Sequence, residues 1–224
     1  EVRGSLFHST SDSELLAHLV KKDNRENKRI DNIIEALNMI EGAFAFLIMT
    51  KNRIYACRDK HGLRPLAIGK LGDGYVISSE TCALDIVGAE YIRDVEPGEV
   101  ITIDHHGIRS NYYSRYQRHL MCAMEYIYFA RPDSVIDGTT VHAARVAAGE
   151  FLAKEHPVEA DVVIGVPDSG LDAAIGYAKE SGIPYEIGFI KNKYIGRTFI
   201  APGQANREDK VRIKLNPIAD VVKG

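Results

Sequence analysis

The stretch CAMEYIYFARPDS, Cys122–Ser134, lies near the middle of the 224-residue chain and separates two halves whose sequence patterns differ. Before it, short alternating apolar runs are divided by turn residues, whereas after it helical patterns alternate with short apolar runs. The stretch itself combines apolar and aromatic residues with an Arg-Pro-Asp break. A change of pattern at such a break indicates a domain junction, so we predict one domain over residues 1–121 and another over residues 122–224.

The composition is that of a folded globular protein, with 45% hydrophobic and 26% charged residues. The net charge of -3 provides no overall attraction to nucleic acid or to an anionic membrane. No apolar run approaches the roughly 20 residues that a membrane-spanning helix needs. The three cysteines are widely spaced and form no Cys-x-x-Cys pair, which is typical of a reducing compartment. We therefore expect a cytoplasmic protein that binds neither nucleic acid nor membranes.

Two helices are predicted near the start of the chain. Ser11 and Glu14 have the spacing of a capping box in front of an apolar run, so the first helix should begin there. The second is expected from about Asn27 to Ile40, because isoleucine and leucine recur there at helical spacing before Gly42.

Strands and turns follow these helices in the first half. A short helix is predicted over Thr81–Val87. The other apolar runs indicate antiparallel strands over residues 43–50, 53–58, 63–68, 74–78, 99–103 and 107–110. Two helices beside an antiparallel sheet indicate an α+β sandwich.

The second half has the order of a βαβ unit. Helices are predicted over Val141–Lys154 and Leu171–Ser181. The short apolar run over residues 160–166 is typical of a strand that is buried on both faces, and another strand is expected to end near Ile190. This order predicts a Rossmann-like α/β domain.

The turn VPDSG, Val166–Gly170, has two interpretations. It follows a predicted strand and precedes a helix, where α/β sheets bind ligands and where helix N-termini attract anions. Alternatively, Asp168 or Ser169 caps the helix by accepting a hydrogen bond from a free amide. The spacing alone favours the helix cap.

A basic segment over residues 191–214 contains seven basic and two acidic residues, with two glycines and one proline. We predict a long loop without secondary structure of its own. The simpler interpretation is a solvated basic surface. The apolar and aromatic residues within the segment instead favour a mobile lid that closes over an anionic, phosphate-bearing substrate.

Four motifs together resemble the amidophosphoribosyltransferase family. They are RDKHGLRPL (58–66), SSETCALD (78–85), EYIYFARPDS (125–134) and KNKYIGRTF (191–199), and the resemblance covers essentially the whole chain. It implies a fold of class α+β followed by α/β. The first part would belong to an N-terminal-nucleophile glutaminase sandwich, and the second to a type I phosphoribosyltransferase domain. The family's nucleophilic cysteine would precede Glu1, and its main motif for phosphoribosyl pyrophosphate (PRPP) would follow Gly224. We therefore expect a fragment that contains no catalytic residue and is inactive by itself.

The resemblance also implies roles for individual residues. It implies that Asp12 contacts the α-amino group of bound glutamine, while its position in the sequence also suits a helix cap. It places Ser169 at the magnesium ion of PRPP. It implies that Lys191, Tyr194 and Arg197 belong to a flexible loop that closes on PRPP.

Cys122 is implicated in a metal site by the same resemblance. One branch of the family carries a [4Fe-4S] cluster bound by four cysteines, and Cys122 stands at the position of the first. The other three ligands would lie after Gly224. The implied cofactors are therefore Mg²⁺ and this cluster, whereas Cys57 and Cys82 are interpreted as small buried residues.

The activity implied by the resemblance is the first step of de novo purine synthesis. Glutamine is hydrolysed, and the ammonia attacks C1 of PRPP to give 5-phosphoribosylamine. The family also implies a homotetramer that purine nucleotides inhibit. Two other classes of protein remain open: another glutamine amidotransferase, such as a sugar-phosphate amidotransferase, and a non-catalytic module that binds nucleotide or PRPP.

Overall fold

The structure is a computed structural model that describes residues 7–21, 28–115, 118–194, 196 and 204–223. The chain forms two compact units, Glu1–Cys122 and Ala123–Gly224. Within the described ranges, no helix is both long enough and apolar enough to cross a membrane.

The described part of the first unit contains three helices, α1 Ser13–Val20, α2 Arg29–Asn38 and α3 Thr81–Val87. The buried residues of α1 and α2 recur every three or four positions, so each helix buries one face. α3 is followed by Gly88, whose φ of 72° lies in the left-handed region that glycine adopts without a steric penalty. These helices confirm the pattern-based prediction, although α2 is shorter at both ends.

Glu14, and not Ser11, holds the start of α1. Its carboxylate accepts hydrogen bonds from the backbone N–H groups of His8 and Ser9, both at 2.8 Å, and from the Ser9 hydroxyl at 2.7 Å. These bonds, the His8 amide first, lower the pKa of Glu14 to about 2. The predicted capping box of Ser11 with Glu14 is therefore wrong, because the chain before the helix presents earlier amides to the carboxylate.

Strands of the first unit form two antiparallel sheets. In chain order the strands are β1 Ala45–Met49, β2 Ile54–Arg58, β3 Ala67–Leu71, β4 Gly74–Ser78, β5 Glu90–Asp94, β6 Glu99–Asp104 and β7 Gly107–Tyr112. One sheet has the order β1-β2-β6-β7 and the other the order β4-β3-β5. β5 was not predicted, because its sequence EYIRD buries no residue fully and so shows no alternation.

The two sheets pack face to face between helices. Along β2, Tyr55 and Cys57 pack with α1 and α2, whereas Ala56 between them packs with Ile68 of the other sheet. This arrangement follows from the alternation of side chains along a strand. On the outer side of the second sheet, α3 buries Leu84. The unit is thus a helix–sheet–sheet–helix sandwich, which confirms the predicted α+β class.

The second unit begins with a π-helical turn over Glu125–Phe129, within the stretch that separates the two sequence patterns. A short hairpin, β8 Val135–Ile136 and β9 Thr139–Thr140, then leads into α4 Val141–Glu155. α4 packs against α5 Leu171–Ser181. Both helices match their predicted ranges to within one residue.

Two glycines allow α4 and α5 to approach closely. A Cβ atom at Gly149 would lie 1.9 Å from the carbonyl oxygen of Ala173, and one at Gly176 would lie 1.9 Å from that of Val146. Any larger residue would place its side chain inside the backbone of the neighbouring helix. The pair of glycines therefore sets the distance between the two helices.

A βαβ unit carries α5. β10 Val163–Ile164 and β11 Tyr185–Glu186 pair in parallel, and α5 connects them. β12 Phe189–Lys191 pairs antiparallel with β13 Leu215–Pro217, and a short helix α7 Ala219–Val222 follows. The Rossmann-like order is confirmed, although the predicted strand over residues 160–166 is reduced to β10.

The basic segment contains a helix that was not predicted. α6 Gln204–Lys214 occupies its second half, so the prediction of a loop over all of residues 191–214 is wrong. The side chains of Gln204 and Glu208 are hydrogen-bonded at 3.0 Å, and those of Asp209 and Arg212 are paired at 3.4 Å. Glutamine, glutamate and arginine are good helix formers, and such side-chain pairs support a helix without an apolar stripe.

Candidate functional site

An ion pair joins the two segments in which phosphate ligands were predicted. Lys191, the last residue of β12, places its Nζ against the carboxylate of Asp168 in the turn before α5. Lys191 therefore lies on a strand and not in a free loop. The structure brings it beside the Ser169 turn, although the two positions are far apart in the sequence.

Lys191 and the start of α5 both place positive charge beside this turn, and the Asp168 carboxylate balances that of Lys191. Asp168 is mostly exposed, with 71% of its side chain accessible, whereas the side chain of Lys191 is 26% exposed. The amides at the N-terminus of α5 add a positive partial charge next to the same turn. A phosphate oxygen can replace the exposed Asp168 carboxylate as the partner of Lys191, because guanidinium and ammonium groups bind phosphate strongly.

Ser169 lines an apolar cavity of about 520 Å³ in the second unit. Gly170 and Ala173 of the α5 segment, Ala144 and Ala148 of α4, and aromatic residues of the π-helical turn form the other walls. Ser169 itself is half-buried. Ser169 therefore lies between a charged turn that suits phosphate and a cavity whose walls offer few polar groups.

Arg145 supports one wall of this cavity and was missed in the sequence. Its side chain is buried, with its Nε 2.5 Å from the carbonyl oxygen of Tyr126 and an NH2 group 2.8 Å from that of Ala130. Both acceptors belong to the π-helical turn or its end. The only sequence signal was one arginine among small residues in α4.

Asp172 connects Arg145 to a histidine. Its Oδ1 lies 2.8 Å from Nδ1 of His142, and its Oδ2 lies 3.9 Å from NH1 of Arg145. The Asp172 side chain is mostly buried, whereas that of His142 is about half exposed. Thus His142 and Arg145 of α4 meet one carboxylate in the first turn of α5, and together they orient the helix that follows the Ser169 turn.

The structure does not bring Tyr194 to this place. The Tyr194 side chain is 99% exposed, and its backbone N–H donates to Oδ1 of Asn192 at 3.0 Å. Arg197 lies outside the described residues. The segment is tied to α6, because the Asn192 amide donates to the Lys214 carbonyl at 2.8 Å.

Asp12 occupies the N-cap position of α1 without capping it. Its side chain accepts no capping hydrogen bond from the described residues, because Glu14 already holds this helix start. Asp12 is exposed. The prediction that it caps the helix is wrong for its side chain, and the carboxylate is accessible to a ligand.

The RDKHGLRPL motif forms a buried structural loop. Arg58 donates to three backbone carbonyls, of Arg64 at 2.8 Å, Val95 at 2.7 Å and Gly62 at 3.0 Å. The carboxylate of Asp59 accepts from the backbone N–H groups of residues 61, 63 and 64. These bonds explain why no strand begins at residue 63 as predicted, since the backbone groups are used within the loop.

The same loop holds Cys122. The Cys122 amide donates to the Leu63 carbonyl at 3.2 Å, and the Leu120 amide donates to the His61 carbonyl at 2.8 Å. Cys122 is half-buried, and it is the last residue of the first unit. The motif therefore positions Cys122 at the end of the first unit.

The two implied metal groups differ in how well this chain fits them. Mg²⁺ in phosphate sites is held by one or two protein oxygens and by the substrate phosphates, which suits Ser169 and its turn. A [4Fe-4S] cluster needs four thiolates, and the chain has three cysteines. Cys57 and Cys82 are buried, and among the described residues no three potential metal ligands are grouped. The residues of this chain alone do not fit the cluster.

Comparison with known proteins identifies relatives along the whole chain. A family model described as "Glutamine amidotransferase domain" matches residues 1–85. The amidophosphoribosyltransferase of Bacillus subtilis (strain 168) is 54% identical over all 224 residues, which cover 47% of that relative. That of Staphylococcus aureus (strain MRSA252) is 48% identical over 225 aligned positions, covering 45% of it.

Solved structures give the same result. The glutamine PRPP amidotransferase of B. subtilis, in complex with ADP and GMP, matches with a TM-score of 0.90 and 54% identity. The match covers all of the present chain and 49% of the B. subtilis chain. A structure described as the allosteric regulatory enzyme of purine biosynthesis matches with the same TM-score over 48% of its chain. The predicted fold class, part of an N-terminal-nucleophile glutaminase followed by part of a phosphoribosyltransferase, is thereby confirmed. The chain spans about half the length of the curated relatives it matches, and over its whole length it is similar to amidophosphoribosyltransferases.

Proposed function

We propose that this chain serves the glutamine-dependent transfer of ammonia to C1 of PRPP, which gives 5-phosphoribosylamine in the first step of de novo purine synthesis. The observation that carries the proposal is the pairing of Lys191 with Asp168 at the N-terminus of α5. A cation, a helix N-terminus and the Ser169 hydroxyl together suit the pyrophosphate of PRPP.

The reaction forms a C1–N bond while the bond from C1 to the pyrophosphate oxygen breaks. Negative charge develops on the leaving pyrophosphate, and the attacking ammonia gives up a proton once it is bonded. Lys191 and the amides before α5 stabilise the leaving group by holding its oxygens. Arg197 is proposed to add a second cation from the same segment. A magnesium ion bound with PRPP beside Ser169 would neutralise part of the same charge.

Glutamine is the proposed source of the ammonia. The exposed carboxylate of Asp12 suits the α-amino group of glutamine, since an ammonium ion and a carboxylate pair favourably. Tyr194 is proposed to cover PRPP, because a fully exposed aromatic ring gains most from packing on a ligand. Cys122 is proposed as one ligand of a [4Fe-4S] cluster whose other thiolates lie outside this chain, and no step of the reaction depends on it.

The proposed partners follow from the same reaction. They are glutamine, PRPP with Mg²⁺, and purine nucleotides as inhibitors, which the B. subtilis relative in complex with ADP and GMP supports. The full-length protein is proposed to form a homotetramer in the cytoplasm and to bind neither nucleic acid nor membranes.

Replacement of Lys191 tests the PRPP site. In calorimetric titrations of this chain with PRPP and Mg²⁺, Lys191→Ala should weaken binding about tenfold or more, because a hydrogen bond to a charged group contributes about 1.5–3 kcal/mol. Lys179→Ala is the matched control, since Lys179 also pairs with a carboxylate, Glu150 at 2.9 Å, on the exposed surface of the second unit. Equal affinities for the two variants, or no binding by the unmodified chain, would contradict the proposed site.

We expect this chain by itself to release no glutamate from glutamine. Burial raises the pKa of the Cys57 thiol to about 12, so it is protonated at neutral pH, and Cys82 is buried as well. Glutamate can be measured after incubation of the 224-residue chain with glutamine. Any glutamate release by the chain would contradict this prediction, and release that survives mutation of Asp12 to Ala would place the hydrolytic site away from the proposed glutamine contact. Binding of PRPP without glutamate release would match the alternative of a non-catalytic PRPP-binding module.

A further inference from the structure

Another cavity, which is lined mostly by polar residues, lies entirely within the first unit. It has a volume of about 540 Å³ and adjoins the helix-facing side of the four-stranded sheet. Its lining is Ile30 of α2 and six polar residues of the sheet or its turns, Arg53, Tyr55, Thr102, Arg109, Ser110 and Asn111. None of them belongs to the glutamine or PRPP sites proposed above.

The register of the sheet builds one wall of this cavity. Tyr55 on β2 is the Cα partner of Thr102 on β6, and Thr102 is the partner of Arg109 on β7. Partners on adjacent antiparallel strands share a face of the sheet. Three strands therefore contribute a hydroxyl, a hydroxyl and a guanidinium to one continuous row.

The cavity has an excess of positive charge. Nε of Arg53 lies 3.3 Å from Oδ2 of Asp104, and Arg109 pairs with the same oxygen. The hydrogen bond from the His106 amide, and then the Arg109 charge, lower the pKa of Asp104, so this carboxylate is ionised at neutral pH. Together, the side chains of Arg53, Arg109 and Asp104 carry a formal charge of +1.

Tyr55 supplies the independent observation. Its side chain is only 1% exposed, and its hydroxyl has no hydrogen-bond partner among the described residues. A buried hydroxyl without a partner is unfavourable and rare in folded proteins. An acceptor atom bound in the cavity would provide the missing partner.

We propose that this cavity binds the phosphate group of a small phosphate monoester. The two arginines, the hydroxyls of Tyr55 and Thr102 and the Asn111 amide offer more donors than the two oxygens of a carboxylate can accept. The three terminal oxygens and the larger charge of a phosphate suit them better. The volume lies within the range of about 300–1,000 Å³ for small-molecule sites, which leaves room for the organic part of the ester.

Inorganic phosphate is the probe for the test. The Lys191→Ala chain is used as background, so that the proposed PRPP site does not contribute, and chloride at equal ionic strength is the blank. In calorimetric titrations, Arg109→Gln should weaken phosphate binding about tenfold and Tyr55→Phe about fivefold, since one is a charged and the other a neutral hydrogen-bond donor. Lys70→Gln is the control, because Lys70 lies on the other sheet over the Tyr75 ring.

Thermal unfolding separates a ligand role of the Tyr55 hydroxyl from a structural one. Without phosphate, Tyr55→Phe should leave Tm unchanged or raise it, because an unpaired buried hydroxyl is removed. The rise in Tm that added phosphate causes should be smaller for Tyr55→Phe than for the parent chain. A lower Tm for Tyr55→Phe without phosphate would overturn the proposal. Three other results would also overturn it: no phosphate binding, equal phosphate affinities for Arg109→Gln and Lys70→Gln, or acetate that binds as tightly as phosphate. Failure of the PRPP site leaves these outcomes unchanged, because Lys191 is already replaced.

Discussion

Arg145→Ala should destabilise the second unit by about 3–5 kcal/mol, the range for removal of one partner of a buried ion pair. The Arg145 guanidinium donates to the carbonyls of Tyr126 and Ala130, so both acceptors lose their donor. Oδ2 of Asp172 is buried and has no hydrogen-bond partner within the described part of the chain, and Arg145 lies 3.9 Å from it. The variant therefore leaves a buried carboxylate without this compensating charge.

Urea unfolding followed by circular dichroism measures this loss. Lys154→Ala, on the same helix, is the matched control: its pair with Glu180 at 3.4 Å is largely exposed, so its removal should cost less than about 1 kcal/mol. The double variant Arg145→Ala/Asp172→Ala should be more stable than the sum of the single effects, because the unpaired carboxylate is gone. A loss below that of Lys154→Ala would show that Arg145 does not hold the π-helical turn.

Arg58→Ala should have an effect of similar size on the first unit, again about 3–5 kcal/mol. The side chain is 1% exposed and donates to the carbonyls of Gly62, Arg64 and Val95. Each buried acceptor left without a donor costs about 1–3 kcal/mol, and the lost packing adds to that. Lys51→Ala, in the exposed turn between β1 and β2, serves as the control and should be nearly neutral.

Arg58→Ala should also expose Cys122. The loop that Arg58 holds carries the Leu63 carbonyl to which the Cys122 amide donates, so its loss should speed the reaction of Cys122 with a thiol reagent. Cys57 and Cys82 are buried and should react slowly in both proteins under native conditions. A large loss of stability without faster modification of Cys122 would separate the fold of the loop from the position of the cysteine. Arg58→Met, which retains an apolar stem, should recover packing but not the three hydrogen bonds.

The sequence determined the local secondary structure and showed the resemblance to amidophosphoribosyltransferases. α3 and α5 match their predicted ranges because each is followed by a glycine that ends it, Gly88 with φ 72° and Gly182 with φ 75°. The apolar run over residues 53–58 predicted a strand, and the residues of four motifs were sufficient to indicate the family resemblance. All of these features depend on neighbouring residues, or on short runs of sequence that can be compared directly.

The tertiary structure alone decided which polar residues meet. Lys191 and Asp168 lie 23 residues apart, Arg145 and Tyr126 lie 19 apart, and no local spacing connects either pair. Glu14 was correctly placed at a helix start, but its partners depend on how the preceding chain turns. Local patterns predict helices and strands because the spacing of apolar residues along the chain shows which face each element buries, whereas a buried charge takes whichever partner the packing brings to it. For this protein the sequence therefore determined the architecture and the family resemblance. The packing decided the ion pair of Lys191 with Asp168, the position of Arg145 behind the cavity, and the row from Tyr55 to Arg109.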